Sequence, residues 1–367
     1  MARPPFRADH VGSLLRPPEL KEAREMRKSG AISAADLQAV EDRSIRDAVA
    51  LQEAAGLESV TDGEFRRAFW HVDFLTGFEG IVATQGQYAL KFHGDDGAES
   101  ETRSMMVVNS KVRRTKPVAV EHYRFLKQAT KKTAKLCIPA PTYLHMRGGR
   151  RVVNEKAYPD VEEFWSDITQ AYREEIAALA KAGLEYLQID DVSFACLCDE
   201  GIRAQVKRDG EDAAKLPLTY SRIISGLLEG RPQNLAVTMH TCRGNHASMW
   251  MAEGGYDAVA EAVFQTAVDG FFLEYDTARA GGFAPLRFVP KGKKVVLGLV
   301  STKRPELEDR AALKRRVDEA AKYVPLENLC LSPQCGFASS EVGNKLTADD
   351  QKRKLELVVE TAREVWG

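Results

Sequence analysis

The stretch LAVTMHTCRGNH, residues 235–246, sets an apolar run directly against reactive side chains: the run ends at His240, and Cys242 follows two positions later. A short run that is apolar on both faces fits a strand of a parallel sheet covered by helices. The same format recurs in ESVTDGE (58–64), KLCIPAP (135–141), YLQIDD (186–191), GFFLEYD (270–276), KVVLGLV (294–300) and LCLSPQ (329–334). With RADHVGS (7–13) at the front, there are eight candidate strands.

Amphipathic stretches lie between them. Over 161–183 the residues Val161, Phe164, Trp165, Ile168, Tyr172, Ile176 and Leu179 recur every three or four positions, and Gly183 offers a left-handed stop. Ser33 is a natural N-cap for a helix over 33–56, and Thr347 with Asp350 three residues later opens one over 347–365. Eight strands alternating with helices predict an α/β chain folded as a (β/α)8 TIM barrel, a single domain over 1–367. The rival, an open doubly wound sheet in its nucleotide-binding form, would carry G-x-G-x-x-G after a strand, and the chain has none. A barrel needs about 250 residues. The surplus falls in 77–134, read as an insertion after the second strand. There QYALKFHG (87–94) and TRSMMVVNSKV (102–112) look like the arms of a β-hairpin, and the basic run SKVRRTK (110–116) reads as a solvated face.

Of the 367 residues, 44% are hydrophobic and 29% charged, and the net charge of −1 gives no electrostatic case for binding nucleic acid. No window reaches 18 uninterrupted apolar residues, so no membrane span is expected, and MARPPFRADHVGS lacks the apolar core of a signal peptide. A cytoplasmic location is the resulting expectation, and there six cysteines are thiols or ligands sooner than disulfides.

In a barrel, chemistry sits at the C-terminal ends of the strands. His240 and Cys242 stand after one such strand, Glu274 ends the next, and Cys335 follows the last. From Cys242 to Glu274 is 32 residues and from Glu274 to Cys335 is 61, close to one and two βα units, so each residue returns to the same rim. His, Cys, Glu and Cys can then converge on one tetrahedral Zn2+. The bland alternative pairs Glu274 with Arg279 and leaves Cys335 a loop thiol. Cys137, Cys196, Cys198 and Cys330 lie in or near apolar runs and read as buried thiols. Two thiolates and a carboxylate leave a zinc ion a weak Lewis acid. They suit it to holding an incoming thiolate, which points to alkyl transfer onto sulfur and away from hydrolysis.

These residues, HTC, LEYD and SPQCGF together with HVGSLLRP near the N-terminus, resemble the catalytic half of cobalamin-independent methionine synthase, and nearest of all its single-barrel bacterial relatives. The resemblance covers nearly the whole chain. It implies a zinc-dependent methyltransferase that acts on the sulfur of homocysteine, with a methylfolate as the donor. It makes His240, Cys242, Glu274 and Cys335 the zinc ligands. The turn Val11-Gly12-Ser13 would hold the amino-acid carboxylate, and Glu64 and Asp190 would bind the ammonium. Backbone N–H groups and a hydroxyl suit a carboxylate, and two carboxylates suit an ammonium. The structural alternatives are a helix cap for Ser13 and pairing with Arg66 or Arg67 for the acids.

Two departures bear on the donor. IDDVS replaces the family's Ile-Asp-Glu-Pro, and Lys303 of VSTKRPE stands where the synthase has a histidine linked to protonating the leaving pterin. Lys303 is expected to be exposed on the rim, a catalytic-site cation that receives an anionic part of the donor. His10, His246 and Trp250 are candidate pocket residues. Three other readings compete. A relative that opens epoxides with coenzyme M has no ammonium for Glu64 and Asp190 to bind. A non-catalytic zinc or thiol-binding barrel gains nothing from those acids. A zinc hydrolase of the aminohydrolase type wants His-x-His after its first strand, where this chain has ADHVGS.

Overall fold

The computed structural model describes residues 3–95 and 97–367. Seven strands form one parallel sheet in the order β1-β4-β5-β6-β7-β8-β9. They are β1 (Ser59–Val60), β4 (Thr133–Pro139), β5 (Tyr186–Asp191), β6 (Ala236–Thr241), β7 (Gly270–Glu274), β8 (Lys294–Val300) and β9 (Leu329–Pro333). The two remaining strands, β2 (Glu79–His93) and β3 (Glu99–Arg113), form a separate antiparallel pair. Nearly every residue of β4 to β9 is buried, as the continuous apolar runs require.

The first expected strand is shorter than its sequence suggests. Only Ala8 bridges, to Leu331 of β9, flanked by hydrogen bonds from Asp9 N to Leu331 O (3.0 Å) and from Leu331 N to Arg7 O (2.8 Å). Beyond it the chain turns at Gly12, whose φ of +133° a side chain would strain and whose Cβ would meet Cys137 Sγ at 2.6 Å. The segment also touches the opposite edge of the sheet. Ser59 Oγ donates to Asp9 Oδ1 (3.1 Å) and Thr61 Oγ1 to the Gly12 carbonyl (2.6 Å).

Helices connect the strands, and their ends follow local chemistry. Ala34–Ala54 and Ala348–Trp366 each begin with a complete capping box, Ser33 with Asp36 and Thr347 with Asp350. Val161–Lys181 is capped by Asp160 and buries Phe164, Trp165, Ile168, Tyr172, Ile176 and Leu179. No helix among the described residues is long and apolar enough to cross a membrane.

Residues 77–134 hold the β2–β3 pair, the helix Val120–Ala129 and the first residues of β4. β3 packs against the helix Val161–Lys181. The tip of the pair is tied across the C-terminal side of the sheet, where His93 and Trp250 exchange backbone hydrogen bonds of 2.7 and 2.9 Å.

Candidate active site

His240 lies near the end of β6 and Cys242 two residues on, and the two-residue period turns both side chains the same way. Glu274 closes β7, and Cys335 sits two residues past β9. The structure brings all four together. Their ligand atoms lie within 4.8 Å of one another, and all four residues are buried. The Cys242 and Cys335 sulfurs are 3.5 Å apart. That is far longer than a disulfide and close to the about 3.8 Å expected of two thiolates on one tetrahedral zinc with Zn–S bonds of ~2.3 Å.

The donor set is also under-satisfied as it stands. Neither ring nitrogen of His240 makes a well-formed hydrogen bond among the described residues, its closest interaction being with the Cys335 sulfur of the same cluster, and Glu274 Oε2 has no hydrogen-bond partner there. Glu274 Oε1 accepts only the Arg243 backbone N–H at 3.0 Å. Arg279 is not its partner, since it pairs with Asp276 at 3.4 Å. Buried polar atoms without partners are rare and costly, so their convergence on one point fits a tetrahedral metal ion. The thiols polarise each other. A hydrogen bond from Cys242 holds the Cys335 thiol well below its ordinary pKa, and the same bond keeps the proton on Cys242.

Beside this cluster stand the residues expected to hold an amino acid. Asp190 is the register partner of His240 across β5 and β6. Glu64, Cys137 and Asp190 bring one ligand atom each within 4.8 Å of one another. Burial is the main cause that raises the Glu64 carboxyl to about 7 and the Asp190 carboxyl to about 6; each acid also feels other charges, Arg67 and Asp190 for Glu64, His240 for Asp190. Glu64 has φ of +62°, an uncommon conformation for a residue with a side chain, and strain of that kind concentrates at functional sites. Its carboxylate lies 3.7 Å from Arg67, a loose ion pair, while Arg66 is occupied by Glu41 and Asp42.

Ser13 is not a helix cap, because the first helix starts at Pro18 behind Pro17. It is held between the other loops of the site. Leu14 N donates to Gly63 O (3.1 Å), and Phe337 N donates to Ser13 O (2.9 Å). A Cβ at position 336 would fall 1.9 Å from Ser13 Oγ, so any larger residue there would displace the Ser13 hydroxyl. Arg16 fastens the same three segments. Its guanidinium donates to the carbonyls of Leu14, Glu64, Arg67 and Ala338.

One cavity is lined by Ser13, Glu64, Asp190, His240, Cys242 and Cys335 together. Its outer wall was not foreseen in the sequence. Trp70, His71, Tyr143 and Arg147 line one side, with Phe92, Thr102 and Ser104 from the hairpin. Trp70, His71 and Tyr143 form a mutual ring cluster with centroids 4.6 to 5.4 Å apart. Arg147 donates to Ser104 O at 3.1 Å, which ties the hairpin to this wall. Burial, helped by Arg147, lowers the His71 imidazole to about 3, so it is neutral at physiological pH. No single pattern marks these residues, since they reach the cavity from three separate stretches: Trp70 and His71 before the short helix Val72–Leu75, Tyr143 and Arg147 in and at the end of the helix Thr142–Met146, and the hairpin strands.

Three expectations need correction. Lys303 is not exposed on the rim. It is only 7% exposed, lies outside the cavity lining, and its Nζ has no hydrogen-bond partner among the described residues. The chain after β8 turns inward there, with Thr302 N bonded to Gln334 Oε1 (2.6 Å) and Asn344 Nδ2 to Thr302 O (2.8 Å). His10 does not line the cavity either. It is buried against the Ser59 carbonyl (3.3 Å), and burial lowers its pKa to about 4. His246 does line the cavity, but Trp250 does not; its ring lies beside His93. Cys196 and Cys198 are buried thiols whose pKa burial raises, with Cys198 pushed to about 11.

The relatives of the chain fall in one family. The family model described as the catalytic domain of cobalamin-independent synthase matches residues 6–364. YxjH of Bacillus subtilis, an uncharacterised protein, is 44% identical over 365 residues, covering 99% of this chain and 95% of its own. A crystal structure of a putative vitamin-B12 independent methionine synthase from Listeria monocytogenes is 37% identical, covers all of both chains and superposes with a TM-score of 0.79. The 5-methyltetrahydropteroyltriglutamate–homocysteine methyltransferase of Thermotoga sp. is 23% identical over 336 residues, which is 91% of this chain but only 42% of that enzyme. The chain belongs to the family of cobalamin-independent synthase catalytic domains.

Proposed function

We propose that this protein is a zinc-dependent methyltransferase that moves a methyl group onto the sulfur of homocysteine to give methionine. The observation that carries the reading is a single cavity with two adjoining ends. One end is lined by His240, Cys242 and Cys335, whose ligand atoms lie within 4.8 Å of a Glu274 carboxylate oxygen, and the other holds two buried carboxylates and a hydroxyl at a glycine turn. His240, Cys242, Glu274 and Cys335 would hold the zinc. When bound, the metal would favour the thiolate of an incoming thiol at neutral pH and keep its sulfur electron-rich.

The chain's own residues account for recognition. Glu64 and Asp190, both raised in pKa by burial, gain most from a cation, and the substrate ammonium is that cation. The Ser13 hydroxyl and the backbone N–H groups of its turn donate to the substrate carboxylate. Trp70, Tyr143 and the hairpin exclude water from the reacting sulfur. Lys303, buried with its charge felt by Glu274, Cys242 and Cys335, would offset the negative charge of the ligand set.

We read the fold as a closed (β/α)8 barrel in one domain, with Arg7–Asp9 completing the ring between β9 and β1 and an insertion over 77–134 that carries the hairpin. We also propose a cytoplasmic location and a methylfolate as the methyl donor, the donor that the name of the Thermotoga relative carries. An epoxide-opening enzyme that uses coenzyme M fits less well, because its sulfonate thiol leaves both carboxylates without a cation. The test is to incubate zinc-loaded protein with homocysteine and methylfolates of differing glutamate length, methylcobalamin or S-methyl donors, and to measure methionine. No methionine from any donor, together with no binding of homocysteine, overturns the reading.

A further inference from the structure

Gln188 lies two residues before Asp190 on β5 and is completely buried beneath the cavity. Its amide nitrogen makes two hydrogen bonds, one to the Asp190 carboxylate (2.6 Å) and one to the Val11 carbonyl (2.7 Å). Both partners are acceptors, so only the NH2 end of the amide can face them, which fixes its orientation. The Val11 carbonyl also accepts the Cys137 thiol at 3.1 Å, and the Val11 side chain packs with Phe272, Val296 and Cys330. Gln188 Oε1 has no partner among the described residues. A buried amide that leaves its oxygen unpaired while spending both protons on two site segments serves those segments first.

We propose that Gln188 is the positioning residue of the amino-acid end of the cavity, holding the carboxylate of Asp190 at a fixed distance from the turn Val11-Gly12-Ser13. Asp190 is on β5, whereas the turn precedes β1, 177 residues before Gln188 at Val11. No other side chain among the described residues bonds to both. The consequence is specificity. An α-amino acid presents its ammonium and carboxylate on one carbon, and a rigid spacing favours a ligand that uses both ends at once. This inference rests on the amino-acid-thiol reading above.

The experiment measures dissociation constants of zinc-loaded protein for three thiols. Homocysteine has both ends, 4-mercaptobutyrate lacks the amine, and 3-mercaptopropylamine lacks the carboxylate. Gln188→Met keeps the volume and removes both donors, and Gln188→Asn keeps an amide too short to span the two partners. Each variant should bind homocysteine at least tenfold more weakly than the wild type, and each one-ended thiol less than threefold more weakly. Zinc content and melting temperature confirm that the variants fold, and the asparagine variant serves if the methionine variant does not. Losses equal for all three thiols, or homocysteine binding within twofold of wild type, would falsify the positioning role. If the wild type itself shows no preference for homocysteine over both one-ended thiols, the amino-acid-thiol reading fails instead, and the Gln188 role fails with it.

Discussion

The sheet buries ionisable groups at both ends, and the two ends treat them differently. At the N-terminal end, Asp9 has a full set of partners. It accepts from Lys135 Nζ (3.1 Å), Ser59 Oγ (3.1 Å), Tyr186 OH (2.9 Å) and the backbone N–H groups of His10 (2.8 Å) and Phe6 (3.2 Å). Lys135 in turn donates to the His10 carbonyl and stands over the ring of Phe272 at 4.2 Å. At the C-terminal end, His240, Glu274 and Glu64 each carry a buried atom with no hydrogen-bond partner among the described residues, and Glu64 has only the loose 3.7 Å ion pair with Arg67. A satisfied network rigidifies a core, whereas an under-satisfied one persists only where a ligand repays its cost. The floor is closed by its own hydrogen bonds, whereas the rim leaves donor atoms that the proposed metal and substrate would satisfy.

Replacing both thiols, Cys242→Ser with Cys335→Ser, should have the largest effect. Structural zinc sites bind with about 10–16 kcal/mol in small peptides, so loss of two ligands should take elemental analysis from about one zinc per chain to none and abolish methyl transfer. Zinc retained by the double variant would break the comparison at the rim. At the floor, Lys135→Met leaves the Asp9 carboxylate uncompensated. Urea denaturation should show a loss of about 3–5 kcal/mol, the usual result of breaking one side of a buried ion pair. The folded fraction should still hold zinc, and a loss below ~1 kcal/mol would mean the floor is no better bonded than the rim.

A smaller change is expected from Asp190→Asn. Hydrogen bonds to charged groups contribute about 1.5–3 kcal/mol, so homocysteine affinity should fall roughly 10- to 150-fold while 4-mercaptobutyrate, which has no amine, loses little. Equal losses for the two thiols would make Asp190 structural. The smallest effect concerns pH. The Glu64 carboxyl is raised to about 7, mainly by burial, so the folded protein holds that proton more tightly than the unfolded chain. Its contribution to stability is present below the ordinary carboxyl range and is lost as pH rises through about 7. Glu64→Gln should therefore raise the melting temperature of the thiol-free protein by about a few degrees at pH 8 and leave it unchanged at pH 4, by differential scanning fluorimetry. A variant that melts lower at pH 8 would place Glu64 among the stabilising ion pairs.

Much of the rim was legible in the sequence because its residues are anchored to strand ends. His240, Cys242, Glu274 and Cys335 each follow a run of buried apolar residues, and the spacing between runs counts βα units. Helix starts at Ser33 and Thr347 were readable because capping is a contact across three residues. Lys303 misled because a charged residue in a polar loop reads as exposed by default, and only the packing of Thr302 against Gln334 and Asn344 turns it inward.

The sequence by itself therefore determined the strand-and-helix alternation and the residues able to bind a metal, since both depend on neighbours within one or two elements. Only the tertiary structure decided what surrounds them. Gln188 reaches Val11 across 177 residues, Arg16 reaches Ala338 across 322, and the hairpin brings Phe92 and Ser104 over a cavity built elsewhere. Contacts of that range are set by side-chain direction and by how the sheet curls, and a linear pattern of residue types carries neither.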